Sequence, residues 1–344
     1  MIDVSCLPLV ADVAWVRVDD TSAPGRAKRV AATLATEFGF APTRVAEIEI
    51  VVTELGTNLL KHAREGMLLV RSVRAVDEAA VEVVAVDRGP GMAQIQEAMG
   101  DGRSSAGTLG IGLGAVSRLA DTFSAWSEPG VGTIVTARFH RVRGASDELP
   151  GEVVAGVTRA FNGEDVCGDA YAVCDENRRI RLMMCDGSGH GPLAAYAAQA
   201  AVRAFHADRS GGPGEILGRI HTAMRGTRGG AVCVADLDLD QRTVRFAGLG
   251  NIAASVVADG RKHGMVSVPG IAGYQARTIK TFDYALPADA AVVLHSDGLT
   301  ERWSPENRDR LFSGAPLVTA TALLRDAGVR QDDASVLVAR PRVG

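Results

Sequence analysis

The chain reads as an α+β protein built from two domains. Three observations predict this. The first half carries one long amphipathic helical pattern among strand-like runs and glycine segments. The second half is dominated by short apolar or alternating runs bounded by turns, with few helical patterns between them. Arg141 to Gly151 is a polar stretch with Gly and Pro and no periodicity, which reads as a linker. The 344 residues suit two domains, set at 1–140 and 152–344 on either side of a linker at 141–151.

In the first half, Ala14 to Val18 reads as an edge strand and Pro24 to Phe38 as a helix stopped by Gly39. The next helix spans about 43–63. Val45, Ile48, Val52, Leu55 and Leu59 recur at spacings of three and four and form one buried stripe. Glu54, Asn58 and Lys61 share a neighbouring face. That face is either a solvated surface or a place where a Glu and an Asn one turn apart hold a cation and a water. Val81 to Val86 reads as a strand delivering Asp87, followed by the turn Asp87-Arg88-Gly89-Pro90-Gly91. Alone, a D-x-G-x-G pattern also ends many ordinary strands. Gly107 to Gly114 is a second glycine segment leading into a helical pattern at Ala115 to Ala120. Backbone N–H groups at such a helix start favour an anion, while a plain loop closing on a helix stays equally open. No strand directly precedes it, so it is not a Rossmann fingerprint, and it lacks the G-K-[ST] ending of a P-loop. Gly132 to Phe139 alternates like a half-buried strand.

In the second half, strand patterns fall at Glu152–Thr158, Ala170–Cys174, Ile180–Cys185, Ala231–Leu237, Thr243–Ala247, Ile252–Val257, Ala290–His295 and Ala334–Val338. Helical patterns fall at Pro192 to His206, Gly214 to Met224 and Ala315 to Asp326. Four acidic residues stand at the ends of these runs: Asp169 after Cys167-Gly168, Asp186 before Gly187-Ser188-Gly189-His190-Gly191, Asp297 before Gly298, and Asp332 before the last strand. Each Asp-Gly alone is best explained as a turn. Four together, with no Cys or His cluster, suggest a site for hard divalent cations. His190 between glycines is either a ligand or, as is commoner, a residue that fixes loop shape by hydrogen bonding, and Asp165 is an outlying candidate for a water-mediated contact.

Composition narrows the function classes. Hydrophobic residues at 47% and charged residues at 23% fit a soluble globular chain. A net charge of −4 with scattered Lys and Arg argues against nucleic-acid binding. The start lacks a basic n-region and a long apolar h-region, and no apolar run approaches membrane-spanning length. The five cysteines lack any C-x-x-C and are expected as reduced thiols of a cytoplasmic protein.

Glu54-x-x-x-Asn58 on a helix, Asp87-x-Gly89-x-Gly91 and Gly110-x-Gly112-x-Gly114 together resemble the N, G1 and G2 boxes of the GHKL ATPase superfamily. Thr53 to Ala63 is most similar to the anti-sigma-factor serine kinases of RsbW/RsbT type. The resemblance covers about residues 13–140. It implies a Bergerat-type α/β sandwich that binds ATP with Mg²⁺. Asn58 would hold the magnesium, Glu54 would be the base that orients the protein hydroxyl, and Asp87 would accept from the adenine amino group. Gly107–Gly114 would be the phosphate lid. His62 reads as a packing or helix-end residue.

Gly168-Asp169, Asp186-Gly187-Ser188-Gly189-His190-Gly191, Gly248-Leu249-Gly250-Asn251, Ser296-Asp297-Gly298 and Asp332-Asp333-Ala334-Ser335 resemble the metal-dependent protein phosphatases (PPM), closest to the SpoIIE, RsbU and RsbX branch. This covers about residues 152–341 and implies an αββα sandwich with two Mn²⁺ or Mg²⁺ ions. Asp186 would bridge them with the Gly187 carbonyl on one, Asp297 and Asp332 would complete the other, and Asp169 would act directly or through water. Asn251 would shape the floor. Little sequence separates Asp186 from Asp297, which leaves no room for a large lid. The joint reading is a bifunctional partner-switching regulator, a phosphoserine/phosphothreonine phosphatase with a serine/threonine kinase domain. Its implied partners are STAS-domain antagonists or stressosome-type proteins, with a sigma factor as a further candidate and a homodimer compatible. The alternative keeps the phosphatase and makes the first domain a non-catalytic nucleotide- and partner-binding module.

Overall fold

The computed structural model describes residues 9–74, 78–95, 112–144, 153–161, 164–176, 178–276, 278–329 and 331–341. The chain divides into two compact units, Pro8–Leu149 and Pro150–Gly344. Gly107 to Ile111, including Gly110 of the expected phosphate lid, and most of the expected linker lie outside the described residues.

The first unit runs β1 (Leu9–Arg17), α1 (Ala23–Glu37), α2 (Pro42–His62), β2 (Met67–Arg74), β3 (Ala79–Val86), α3 (Gly112–Leu119), β4 (Thr122–Glu128) and β5 (Gly132–His140). The strands form one antiparallel sheet in the order β1-β2-β3-β5-β4. The predicted stripe of α2 supplies Ile48, Val52, Leu55 and Leu59 to a core with Leu68, Val70, Val81, Val83, Ala85, Val135, Ala137 and Phe139. Pairing in steps of two sends alternate residues to the other face. There, buried Arg71 lies 2.9 Å from Asp12, and Glu82 lies 2.8 Å from Arg138. Strand β2 was not among the predicted strands. Arg71 and Ser72 interrupt its apolar run, and only the cross-strand acids Asp12 and Glu82 make a buried arginine tolerable there. Strand β4, Thr-Phe-Ser-Ala-Trp-Ser-Glu, is half-buried throughout and gave no periodic signal.

The second unit contains β6 (Val154–Arg159), β7 (Asp169–Glu176), β8 (Arg179–Gly187), α4 (Pro192–Ala207), α5 (Pro213–Ala223), β9 (Gly230–Asp238), β10 (Thr243–Leu249) and β11 (Ala253–Ala258). It continues through β12 (Arg261–Met265), β13 (Ser267–Val268), β14 (Phe282–Ala285), β15 (Ala291–His295), α6 (Asp309–Phe312), α7 (Pro316–Ala327) and β16 (Ala334–Ala339). One sheet has the order β13-β10-β9-β8-β7, with β14 also on β10, and the other is β12-β11-β15-β16-β6. Strand β8 explains the layering. Ile180, Leu182 and Met184 face the second sheet's Val256, Val292, Leu294 and Leu337. Met183 and Cys185 face the other way, onto Ala197, Ala201 and Phe205 of α4 and Ile216 and Ile220 of α5. Helix α7 covers β6 and β16 on the outside of the second sheet. The result is helix, sheet, sheet, helix, the α+β layout expected. The edge strands β12 and β14 are only five and four residues long, and β12 is largely polar, so neither carries enough alternation to reveal it.

Cysteine chemistry differs from expectation in one place. Cys174 is disulfide-bonded, whereas Cys167, Cys185 and Cys233 are free thiols. Among the described residues no helix is long and apolar enough to cross a membrane.

Candidate active sites

In the first unit, α2 carries the polar pair. The Asn58 side-chain amide donates to Glu54 Oε1 at 3.2 Å, as one helical turn allows. The Gly112 N–H, at the start of α3, donates to the same oxygen at 3.2 Å. Glu54 therefore ties the glycine-led helix start to α2, a favourable place for a carboxylate. Gly114 lies buried in the first turn of α3. Asp87 ends β3 and is largely buried, and its carboxylate accepts the Gly89 N–H at 2.5 Å. Gly89 sits against the end of α2: a Cβ there would stand 3.1 Å from the His62 carbonyl. Gly91 adopts φ +64°, and a Cβ would fall 2.0 Å from the Glu128 carbonyl, so only glycine fits. Thus α2 brings Glu54 and Asn58 to Gly112 along its middle and meets Gly89 at its C-terminal end, while Gly91 packs on the turn after β4. His62 is exposed in the last turn, where a cation suits the dipole.

In the second unit, antiparallel pairing sets Asp169 of β7 directly opposite Asp186 of β8. Opposite side chains share a face with Cβ atoms roughly 5 Å apart, and like charges so placed repel. Asp169 is 5% exposed, and its Oδ2 has no hydrogen-bond partner. Burial, with repulsion from Asp333 and Asp297, pushes its pKa up to about 7 despite the hydroxyls of Ser296 and Ser335. Burial and the charges of Asp169, Asp297 and Asp332 push Asp186 up to about 9. Asp332 is raised by burial and then by Asp297. All four sequence-predicted acids thus belong to one electrostatic cluster.

The surrounding loops are held by specific contacts. The amide of Asn251 donates to Asp297 Oδ2 at 2.5 Å. The Ser335 N–H donates to Ser296 Oγ at 3.0 Å, which joins the loop of Asp297 to the start of β16. Gly187 is buried where a Cβ would stand 2.4 Å from the Ala194 carbonyl, so glycine lets α4 close on the loop. His190 Nδ1 lies 3.0 Å from Glu164 Oε1, and its ring stacks on Phe161 at 4.8 Å. It fixes the loop, as its glycine neighbours suggested. Asp165 is exposed, and Glu164 beside it makes the contact. Asp333 was not singled out from Asp332, yet it is the buried member of the pair, and its Oδ1 accepts the Phe161 N–H at 2.7 Å. A strand-initial Asp that points inward is visible only once β6 and β16 are paired.

An all-oxygen donor set of mutually repelling carboxylates that runs from the buried Asp169 out to the exposed Asp297, with an orphaned oxygen at its inner end, fits hard divalent cations. Among the described residues no three His, Cys, Asp or Glu side chains form a closed ligand group as they stand. Cations would draw the carboxylates inward or reach some of them through water, as Mg²⁺ commonly does.

Comparison with known proteins agrees with both halves. Residues 18–139 match the family described as histidine kinase-like ATPase domain, and residues 176–342 match stage II sporulation protein E (SpoIIE). The serine/threonine-protein kinase RsbT of Bacillus subtilis (strain 168) is 35% identical over 111 residues, 32% of this chain and 84% of RsbT. The phosphoserine phosphatase RsbX of the same organism is 22% identical over 153 residues, 44% of this chain and 75% of RsbX. A solved structure described as "The bacterial stressosome: a modular system that has been adapted to control secondary messenger signaling" aligns with TM-score 0.51 and 30% identity. It covers 55% of this chain and 98% of its own. The chain belongs to the RsbT/RsbW-like GHKL family through its first domain and to the SpoIIE-type PPM phosphatase family through its second.

Proposed function

We propose that the chain is a bifunctional partner-switching regulator. Its second domain hydrolyses phosphoserine or phosphothreonine on a protein, and its first uses ATP to phosphorylate one. The observation that carries the phosphatase half is the facing Asp169–Asp186 pair, the first buried and the second half-buried, in one charge cluster with Asp297 and Asp332. Asp186 with the Gly187 carbonyl, Asp169, Asp297 and Asp332 would hold two Mn²⁺ or Mg²⁺ ions. Bound there, such ions supply charge neutralisation for a phosphoryl group and lower the pKa of water. The chain's own work is positional. Asn251 orients the Asp297 carboxylate, His190 with Glu164 holds the glycine loop, and Gly187 lets α4 approach it.

In the first domain, Asn58 would hold the Mg²⁺ of ATP and Asp87 would accept from the adenine amino group. Gly89 and Gly91 shape the turn around that acid, and Gly110, Gly112 and Gly114 belong to the phosphate lid. Glu54 would receive the proton of the acceptor hydroxyl. Similarity to RsbT and to a stressosome structure supports STAS-type or stressosome-type proteins as partners; a sigma factor is a further partner proposed from the resemblance of Thr53 to Ala63 alone. A kinase and a phosphatase acting on one serine would consume ATP to no effect. The two activities are therefore gated against each other or directed at different sites. A second reading, nucleotide and partner binding without transfer, draws on one observation: Glu54 Oε1 is already engaged by Asn58 and Gly112.

The test uses full-length wild type and Asp297→Asn with a phosphoserine protein and with labelled ATP. Wild type is expected to release phosphate only with Mn²⁺ or Mg²⁺, and Asp297→Asn to lose at least about a hundredfold. Undiminished turnover in the variant would sink the metal assignment. ATP binding with no label transferred to any antagonist protein would select the binding-module reading.

A further inference from the structure

We propose that Arg228 positions the phosphoryl group of the substrate at the phosphatase site. This rests on the phosphatase reading above. Arg228 lies in the loop between α5 and β9 and is exposed. Its backbone is clamped on both sides. The Thr227 hydroxyl donates to the Met224 carbonyl at 2.7 Å and accepts the Gly229 N–H at 3.0 Å, which makes a closed turn. The Ser188 N–H donates to the Gly229 carbonyl at 2.9 Å. Gly230 pairs with Gly187 across the strands, and it exchanges backbone hydrogen bonds with Ala272 at 3.1 and 2.8 Å. The segment bearing Arg228 is therefore tied directly to the loop that bears Asp186.

The guanidinium reaches over that loop. A Cβ on Gly189, which has φ +86°, would stand 3.1 Å from Arg228 Nη1. Glycine there keeps the path open for the arginine. The charge is also uncommitted: among the described residues Arg228 makes no ion pair and no hydrogen bond. Arg179, Arg181, Arg209 and Arg219 of the same unit are all paired with acids. An arginine that served only to quench the carboxylate cluster would be paired with one of its members. A free guanidinium on a fixed arm beside a cation site suits a phosphomonoester dianion, which it can grip through two parallel N–H donors. The carboxylates would hold the cations, and Arg228 holds the phosphoryl oxygens.

The experiment compares full-length wild type, Arg228→Ala and Arg228→Lys at saturating Mn²⁺. It measures kcat/KM for p-nitrophenyl phosphate and for a phosphoserine peptide, and inorganic phosphate binding to the Mn²⁺-loaded protein by calorimetry. Arg228→Ala is expected to weaken phosphate binding and lower kcat/KM for both substrates by about ten- to a hundredfold, the range of a charge-assisted hydrogen bond. Arg228→Lys is expected to recover part of each, while Mn²⁺ affinity stays at the wild-type level in both variants. Wild-type phosphate binding in Arg228→Ala overturns the proposal. Loss of Mn²⁺ affinity in Arg228→Ala also overturns it, since the arginine would then be holding the loop. A wild type that binds Mn²⁺ but hydrolyses neither substrate defeats the phosphatase reading. The phosphate titration still decides what Arg228 does in that case.

Discussion

The carboxylate pair makes the metal-free phosphatase domain sensitive to alkali. In the folded chain Asp186 is pushed from the ordinary 3.8 up to about 9, and Asp169 up to about 7. The unfolded chain releases both protons in the ordinary carboxylate range. Above that range the native state holds protons that the unfolded state has lost, so stability falls as pH rises. Each such proton is worth about 1.4 kcal/mol per pH unit. Both acids contribute up to about pH 7, and Asp186 alone from there to about pH 9. From pH 7 to 8.5 the loss is about 2 kcal/mol, or roughly 4–8 °C in Tm for a domain of this size. The assay is differential scanning calorimetry of the full chain in chelator. The phosphatase transition is recognised as the one that Mn²⁺ raises. Asp186→Asn removes the titrating group, so its transition should be nearly flat over the same interval. Added Mn²⁺ should stabilise wild type more at pH 8.5 than at pH 7, because the cation competes with fewer protons. A wild-type transition that does not move with pH, or an equal slope in Asp186→Asn, would refute the electrostatic account of this cluster.

Two further outcomes concern the first domain. Asn58→Asp places a second carboxylate one turn from Glu54, where the native amide donates at 3.2 Å. It should weaken Mg²⁺-ATP binding by at least about tenfold in calorimetry, from the repulsion of like charges, and leave phosphatase turnover unchanged; wild-type nucleotide affinity would contradict the assignment. Gly91→Ala combines a φ of +64° with a Cβ 2.0 Å from the Glu128 carbonyl. It should cost about 2 kcal/mol or more, seen as a lower Tm for the first domain's transition, and an unshifted transition would show that the turn relaxes freely.

Much of the architecture was legible because it is periodic. The stripe Ile48, Val52, Leu55 and Leu59 defined α2, and alternation along Ile180 to Cys185 defined β8, whose two faces build two separate cores. Strands β2 and β4 were not, since their residues are chosen by neighbours: Arg71 is at home only between Asp12 and Glu82. The disulfide at Cys174 also lay beyond reach, because spacing does not reveal which thiols a fold brings together.

The same division runs through the sites. By itself the sequence singled out which residues are candidates for chemistry. Acids at strand ends followed by glycine, and a Glu and an Asn one helical turn apart, are local patterns with local causes. Only the tertiary structure decided how they meet. The register of β7 on β8 turns two separate aspartates into a facing pair whose protons are held far above their ordinary range. The pairing of β6 with β16 turns Asp333 inward to anchor Phe161. The clamp of Gly229 on Ser188 places a distant arginine over the glycine loop. Repulsion, burial and reach depend on distances through space, and residues far apart in the chain acquire those distances only when the sheets form.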